Sequence, residues 1–305
     1  MKGMPVPVRA RRAIAPIAFA IFAASPLLAG PAPAPAAATG FKLGTLRLFA
    51  LRDMDNVVPN DASVFGTDAG VPAVTKALEQ AHAPTDKITL SVDALLVQMP
   101  GHVVLLDTGL GPKLGGMLMT SLTQAHVTPD QVTDILITHS HGDHVGGLVT
   151  KDGTLAFQNA TIRMSAPEWA AMQAKANKTL VDAIRPKVIP FTPGAEVVPG
   201  ISSVPLPGHT PGHSGYEIRS GTERLLDIGD SAHSSIISLG HPGWAIAYDN
   251  DATQGRTSRE ALLARLAASH ERIFAPHFPY PGVGFVEKNG PKDDGAYHWV
   301  PALPQ

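Results

Sequence analysis

The sequence contains no cysteine among its 305 residues. Without cysteine there is neither a disulfide framework nor a thiolate metal site, so imidazole and carboxylate groups must hold any metal ion. The chain has a slight excess of acidic residues, with 24 Lys and Arg against 26 Asp and Glu, and it shows no cluster of basic residues interleaved with aromatic ones. Nucleic acid is therefore not an expected partner. The G-x-S-x-G turn of serine hydrolases is missing too, which disfavours a serine nucleophile.

Residues 1–38 differ in composition from the rest of the chain. Four basic residues and no acidic one precede an apolar stretch of 17 residues at about 13–29. Ala36-Ala37-Ala38 then forms an A-x-A pattern. This arrangement is typical of an export signal, because a membrane span needs about 20 apolar residues without interruption. We expect a periplasmic or secreted protein whose domain spans 39–305, with no stable membrane anchor after signal removal. Both the general secretory and the twin-arginine route stay open.

The remaining chain alternates between strand-like and helix-like segments. The predicted strands are 44–51, 89–99, 102–107, 133–138, 160–165, 214–219, 223–228 and 272–275, and the predicted helices are 71–82, 112–125, 166–175 and 257–269. Several strands are nearly continuous apolar runs, as expected for sheets that are buried on one or both faces. The capping box Thr257-Ser258-Arg259-Glu260 predicts where the last helix begins. We expect one domain with sheets inside and helices outside.

The strongest chemical signal follows the apolar run 135–137. The chain continues as His139-Ser140-His141-Gly142-Asp143-His144, so four metal-competent side chains fall within six residues. Gly142 indicates a turn that lets these side chains point to one place. The alternative is a polar loop rich in histidine by chance, which this spacing disfavours. Imidazole and carboxylate ligands suit zinc, with iron, manganese or cobalt as alternatives.

Six residues cannot complete two metal sites, so further ligands must come from other strand ends. Three candidates fit, because each lies where a predicted strand ends: His209 after the apolar segment 204–207, Asp230 after the strand 223–228, and His277 after Ile273-Phe274. Convergence of strand ends at one edge would bring these side chains to the histidine loop.

With these residues in this order, the sequence resembles the metallo-β-lactamase superfamily from about residue 43 to 285. The resemblance implies an α/β fold with αββα layers and two divalent metal ions. It implies that the first ion is held by His139, His141 and His209, the second by Asp143, His144 and His277, with Asp230 bridging them. It also implies that Asp107, in the Asp-Thr-Gly turn, supports the histidine loop. A hydroxide shared by the ions would be the nucleophile, and Asp143 or Asp230 would pass the proton to the leaving group.

Three features concern the branch of that superfamily. A redox di-iron branch has Glu at the position of His141, and β-lactamases proper lack a bridging Asp such as Asp230. The stretch 229–259 resembles the methyl parathion hydrolase group in its Gly-Asp-Ser-Ala-His, His-Pro, Asp-x-Asp and Arg residues. The resemblance implies hydrolysis of small-molecule esters, lactones or phosphotriesters. β-Lactamase or acyl-homoserine lactonase activity, a metal-binding protein with little turnover, and a homodimeric state stay open as alternatives.

Residues near the expected ligands receive weaker predictions. His213 and His233 are candidates to support the ligands. Asp249-Asn250-Asp251 is interpreted as a turn before a helix rather than a second carboxylate site. Trp169 and Phe278 are interpreted as core residues, like most large aromatic residues, with the wall of the substrate pocket as the alternative.

Overall fold

The computed structural model describes residues 35–175, 178–291 and 295–303. Residues 1–34 of the expected export segment 1–38 lie outside the described residues, and Ala37 and Ala38 at its end belong to β1. The described strands are β1 (Ala37–Leu43), β2 (Leu46–Pro59), β3 (Lys87–Met99), β4 (His102–Leu106), β5 (Asp134–Leu136), β6 (Thr161–Ser165), β7 (Val188–Phe191), β8 (Glu196–Val198), β9 (Ile201–Pro205), β10 (Ser214–Ser220), β11 (Glu223–Asp227), β12 (Arg272–Phe274), β13 (Val283–Lys288) and β14 (Tyr297–Pro301). The described α-helices are α1 (Val71–Gln80), α2 (Leu118–Gln124), α3 (Gly142–Val145), α4 (Ala166–Lys175), α5 (Lys178–Ile184), α6 (Ile237–Gly240) and α7 (Ala252–Ser269). None of the helices within these ranges has the length and apolar character to cross a membrane.

The strands form two sheets of seven strands each. One has the order β1-β2-β3-β4-β5-β6-β7, and the other has the order β14-β13-β12-β11-β10-β9-β8. Both sheets are mixed, because β4 to β7 run parallel in the first and β11 pairs in parallel with β12 in the second. The predicted αββα arrangement is confirmed.

Strand β3 shows why an apolar run becomes a central strand here. Successive side chains on a strand point to opposite faces, so the two faces of β3 enter two different cores. Ala94 and Leu96 pack with helices α2, α4 and α5, whereas Leu95 and Val97 pack between the two sheets. Helix α7 covers the outer face of the second sheet with three leucines, Leu262, Leu263 and Leu266.

The start of the last helix differs from the sequence-based prediction. Helix α7 begins at Ala252, and the side chain of Asp251 caps it by accepting a hydrogen bond from the backbone N–H of Gln254 at 2.9 Å. The expected start at Thr257 is wrong, because Thr257 already lies within the helix and donates its hydroxyl to the Thr253 carbonyl. The interpretation of Asp251 as a turn residue before a helix is confirmed.

Candidate metal centre

The candidate site lies where parallel strands end. Strands β4 and β5 end side by side in the first sheet, with Leu106 opposite Leu136, and β11 and β12 end side by side in the second, with Asp227 opposite Phe274. The segments that follow these strands carry Asp107, the histidine loop, Asp230 and His277. The carboxyl ends of parallel strands commonly bind ligands in α/β proteins, because the loops that leave them converge.

Three imidazoles form what we call the first group: His139, His141 and His209. Nε2 of His139 lies 3.0 Å from Nδ1 of His141, and Nε2 of His209 lies 3.1 Å and 2.9 Å from those two atoms. Nitrogen ligands at about 2.0–2.1 Å from a tetrahedral ion are separated by roughly 3.3 Å. The three nitrogens therefore have nearly the spacing of ligands around one ion.

Asp143, His144 and His277 form the second group. Oδ2 of Asp143 lies 3.7 Å from Nε2 of His144 and 3.6 Å from Nε2 of His277. Both imidazoles are buried, whereas the Asp143 side chain keeps 28% of its surface exposed. The second group therefore offers two buried imidazole nitrogens and one carboxylate that is partly exposed to solvent.

Asp230 lies between the two groups. Its Oδ2 is 3.5 Å from Nε2 of His139 and 3.3 Å from Nε2 of His209. Its Oδ1 is 3.2 Å from Nε2 of His144 and 3.1 Å from Nε2 of His277. One carboxylate oxygen thus faces each group, which is the placement that a bridging carboxylate requires.

A tight turn delivers Asp230 to this position. Gly229 precedes it with a φ of 47°, and a Cβ there would come within 2.5 Å of Nε2 of His213. Only glycine accommodates both the left-handed backbone and this close approach. The same His213 Nε2 accepts a hydrogen bond from the Asp230 backbone N–H at 3.0 Å, while its Nδ1–H donates to the Leu206 carbonyl. His213 therefore holds the backbone of Asp230, as expected for a supporting residue.

The hydrogen bonds of the other ring nitrogens fit this cluster to a metal ion. Nδ1–H of His139 donates to the Thr138 hydroxyl, that of His144 to Asp107, that of His209 to Asp249 and that of His277 to the Ser91 carbonyl, at 2.7–3.1 Å. Each Nε2 is thereby left with a lone pair directed into the cluster, whereas His141 directs Nδ1 there. Among the described residues, the buried His144 Nε2 and Asp230 Oδ1 have no hydrogen-bond partner. A divalent cation would satisfy these atoms.

Burial and mutual charge set the protonation of the cluster. Burial works to raise the pKa of Asp230, but the charges of His144, His277 and His139 bring that pKa well below its ordinary value. Burial lowers the pKa of His213 to about 3 and that of His233 to about 4. Burial works to lower the pKa values of His144 and His277, but Asp230 and the other nearby carboxylates raise that of His144 well above its ordinary value and that of His277 to about 9. Binding of a metal cation would therefore displace protons from these two imidazoles.

Asp107 supports the histidine loop through three hydrogen bonds. Its Oδ1 accepts from the Thr138 backbone N–H at 2.8 Å, and its Oδ2 accepts from the Thr138 hydroxyl and from His144 Nδ1, both at 2.7 Å. The support that the sequence resemblance implied is present in these contacts.

Two supporting residues were not expected from the sequence. Asp249 had been interpreted as part of a turn, but its Oδ1 accepts from His209 Nδ1 at 3.1 Å, and its Oδ2 lies 3.3 Å from Arg259 Nη1. Arg259 is buried and also donates to the carbonyls of Pro242 and Trp244. Aspartate residues are common in turns before a helix, so the sequence alone does not show that Asp249 contacts His209.

The second unexpected residue is Glu168, which is buried and belongs to no recognisable sequence motif.

A cleft of about 730 Å³ opens above the cluster. Beside the metal-binding side chains and His233, its wall is formed by Met54, Asn56, Leu90, Val92, Leu110, Leu114, Ala247 and Tyr248. Trp169 and Phe278 do not line this cleft but pack in the core, which was the favoured interpretation. Phe278 is fully buried against Trp299, and Trp169 packs on the core beneath the first sheet, where Arg185 lies over its ring. Tyr248 is the aromatic residue that reaches the cleft.

All seven residues that were predicted as ligands lie in this one cluster, although their binding of metal stays a prediction. Two of these residues form a third combination with His233, since Asp230, His277 and His233 offer ligand atoms within 4.8 Å of one another. Nε2 of His233 lies 3.1 Å from Oδ2 of Asp230, and its ring stacks on that of His277. His233, expected only as a support, is therefore also a candidate ligand, and it reaches the cleft.

The sequence matches a protein family whose fold and metal site agree with those described above. Residues 88–277 match the Metallo-beta-lactamase superfamily, which is more than half of the chain, and the chain belongs to that superfamily. It is a metallohydrolase of this fold, with clusters of His and Asp that suit divalent metal ions.

Proteins similar to this chain include a lactonase, a hydrolase and an uncharacterized protein. AidC, a dizinc quorum-quenching lactonase in complex with the product N-hexanoyl-L-homoserine, shares 29% identity at a TM-score of 0.81, covering 88% of this chain and 99% of AidC. The hydrolase AbOPH of the beta-lactamase superfamily shares 28% identity at a TM-score of 0.80, covering 89% and 99%. The uncharacterized protein YobT of Bacillus subtilis is 29% identical over 176 residues, which are 53% of this chain and 72% of YobT. These similarities do not single out the methyl parathion hydrolase group.

Proposed function

We propose that this chain hydrolyses small lactones and esters with two divalent metal ions, which we expect to be zinc. One observation carries the proposal: each carboxylate oxygen of Asp230 faces a separate group of ligands at the floor of a single cleft. Seven ligands are too many for one tetrahedral ion, so the residues fit two. The similarity to AidC, a dizinc lactonase, supports both the number of ions and the choice of zinc.

When bound, two such ions would supply an activated water and a Lewis acid for the substrate oxygen. The chain itself provides the proton-handling and orienting groups. Asp143 is the more exposed of the two carboxylates that line the cleft, so it can accept a proton from the attacking water and return it to the leaving oxygen. Burial raises the pKa of Tyr248, so its hydroxyl stays protonated at neutral pH and can donate a hydrogen bond to a substrate oxygen.

The walls of the cleft indicate the substrate class. The metal-binding side chains form its polar floor, whereas Met54, Leu90, Val92, Leu110 and Leu114 provide an apolar side. An acyl chain or an aryl ring would bury apolar surface there, at about 25 cal/mol per Å². A lactone with an apolar acyl substituent matches a polar floor beside an apolar wall. The product bound to AidC, N-hexanoyl-L-homoserine, belongs to this chemical class.

Aryl phosphotriesters form the second candidate substrate class. The resemblance of residues 229–259 to the methyl parathion hydrolase group favours it, and this stretch supplies His233, Ala247 and Tyr248 to the cleft. An aryloxide leaving group needs little protonation, so such a substrate makes fewer demands on Asp143. Both classes use the same cluster and differ in what the cleft walls accept.

A panel of four substrates tests the proposal. We would load the protein with zinc and measure steady-state rates on N-hexanoyl-L-homoserine lactone, p-nitrophenyl acetate, paraoxon and nitrocefin, each with and without a chelator. We expect the lactone to be fastest and nitrocefin slowest, with every rate lost on chelation. Nitrocefin turning over fastest by tenfold, which is about 1.4 kcal/mol of barrier, would indicate a β-lactamase instead. Two bound ions without turnover would indicate a metal-binding protein.

Export of the protein is a separate proposal, supported by the composition of residues 1–38. Cleavage near Thr39 would remove at most the first two residues of β1, because Ala37 and Ala38 pair with Arg52 and Leu51 of β2. The intact mass of protein from a periplasmic extract should correspond to a first residue close to Thr39. Full-length protein confined to the cytoplasm would contradict the proposal.

A further inference from the structure

Helix α4 places one carboxylate against both loops of the first group. Glu168 lies in the first turn of that helix and has no exposed surface. Its Oε1 accepts hydrogen bonds from the backbone N–H and the hydroxyl of Ser140, at 2.7 Å and 2.6 Å. Its Oε2 accepts from the Thr210 hydroxyl at 2.6 Å and from the Gly212 N–H at 3.0 Å. All four lone-pair positions of the carboxylate are thereby used.

The partners of Glu168 are neighbours of metal-binding residues. Ser140 lies between His139 and His141 in the sequence, and Thr210 follows His209 directly. One side chain therefore holds together two loops that are about 70 residues apart in the chain and that carry the whole first group. None of the four hydrogen bonds involves Asp143, His144 or His277 or a residue next to them.

A second contact from the same turn strengthens this connection. The hydroxyl of Ser165 accepts a hydrogen bond from the Glu168 N–H at 3.2 Å and donates to the Gly212 carbonyl at 2.6 Å. A Cβ on Gly212 would come within 2.2 Å of the Glu168 backbone nitrogen, so the loop can approach this closely only with glycine there. The start of α4 is thus built against the loop that carries His209.

We propose that Glu168 is the positioning residue of the first group, and that it sets the affinity of the first metal ion without comparable effect on the second. The proposal rests on the binuclear centre proposed above. The three imidazoles must keep their nitrogens about 3 Å apart, and the two loops that carry them are joined at Glu168. Side chains that orient metal ligands typically change metal affinity by about 10–100-fold when they are replaced.

The amide of glutamine cannot reproduce these contacts. Its oxygen accepts hydrogen bonds, but its NH2 group only donates. In one orientation the NH2 faces the Ser140 N–H, and in the other it faces the Gly212 N–H, and each of these backbone groups can only donate. Glu168→Gln therefore loses one backbone contact in either orientation, although its size is unchanged.

The experiment compares full-length Glu168→Gln with two other variants and the unaltered protein. Thr210→Val removes one of the four hydrogen bonds and keeps the shape of the side chain. Gln173→Ala, on the exposed part of the same helix, serves as the matched control, because its side chain contacts Arg185 and Trp169 rather than the loops. Zinc-loaded proteins are dialysed against graded chelator, and we measure zinc per chain, the melting temperature, and the 15N NMR shifts of the histidine ring nitrogens.

We expect Glu168→Gln to lose one ion at about 10–100-fold lower chelator strength than the unaltered protein. The ring nitrogens of His139, His141 and His209 should then lose their metal-bound shifts, while His144 and His277 retain theirs. Thr210→Val should show the same selectivity to a smaller extent, about fivefold, and Gln173→Ala should show none. Thr210→Val also keeps the test decisive if Glu168→Gln fails to fold.

The inference would be overturned if Glu168→Gln and Thr210→Val each retained both ions at the same chelator strength as the unaltered protein. Loss of both ions together, in step with a lower melting temperature, would also overturn it, since that is the result expected of a residue that only stabilises the fold. If the unaltered protein bound no zinc, the proposed function itself would fail, and this outcome is read from the first sample alone.

Discussion

The two groups of ligands are built differently. The first consists of three imidazoles, two of which are almost fully buried, and it is held by Thr138, Asp249 and Glu168. The second has two buried imidazoles, held by Asp107 and the Ser91 carbonyl, and one carboxylate that is partly exposed to the cleft. In the first group His139 and His209 are held by buried hydrogen-bond partners and His141 lines the cleft, whereas the second group leaves the Asp143 carboxylate at the open face.

Replacing Asp230 by alanine should have the largest effect, because Asp230 is the residue that joins the two groups. We expect the rate to fall by about 10³-fold or more, equivalent to roughly 4 kcal/mol of barrier, with at least one ion lost. Metal content and rate are measured on the same preparation. Asp251→Ala is the control, since it removes only the cap of α7 and should cost about 1 kcal/mol of stability without changing the rate. An Asp230→Ala protein with both ions and a near-normal rate would disprove the bridging role.

Asp107→Asn should weaken the second group. The amide oxygen can replace only one of the two carboxylate oxygens, so the NH2 group faces either the Thr138 backbone N–H or His144 Nδ1–H, and that donor loses its acceptor. We expect the second ion to be retained about 10–100-fold less tightly in chelator competition. Because Asp107 also contacts the residue before His139, a smaller effect on the first ion should accompany it. An unchanged affinity for both ions would show that Asp107 is not needed to orient His144.

Asp249→Asn should affect mainly the first group and less strongly. Its amide oxygen can still accept from either Arg259 or His209, but not through both former oxygens. We expect about tenfold weaker retention of the first ion, at the lower end for such supporting carboxylates. Chelator titration of this variant beside Asp107→Asn shows whether each substitution acts on its own group. Identical loss of both ions in the two variants would mean that the groups are not independently supported.

Tyr248→Phe should have the smallest effect, because Tyr248 belongs to the cleft wall and to neither group. Loss of one neutral hydrogen bond to substrate is worth about 1 kcal/mol, so we expect kcat/KM to fall about fivefold. Metal content should not change. Trp169→Phe, in the core, should leave the KM unaltered. A Tyr248→Phe enzyme with unchanged kinetics on all substrates would exclude contact between the phenol and the substrate.

The order of elements and the ligand cluster could be predicted from the sequence for a physical reason. Buried central strands such as β3 and β5 consist mainly of apolar residues, and the histidine loop concentrates four potential metal ligands in a segment of six residues. Local patterns of this kind survive without knowledge of the fold. Short edge strands gave no such signal: β7 contains a proline and is mostly exposed, and β8 has only three residues.

The supporting residues could not be predicted, because their roles depend on contacts between distant parts of the chain. Glu168 contacts Ser140, which follows β5 of the first sheet, and Thr210, which follows β9 of the second. Asp249 and Asp251 look alike in the sequence, yet one caps a helix and the other orients His209. Large aromatic residues are equally ambiguous, and Phe278 proved to be a core residue.

Each group takes residues from both sheets of the molecule. His139 and His141 follow β5 of the first sheet, and His209 follows β9 of the second; Asp143 and His144 likewise meet His277 after β12. Metal ions bound there would cross-link the two halves of the domain, in addition to the apolar packing between the sheets. The free energy of metal binding would then add to the free energy of unfolding, by about 4 kcal/mol for an ion present at a thousand times its Kd. The concentration of free metal in the surroundings would thereby determine how firmly the two halves of the chain stay together.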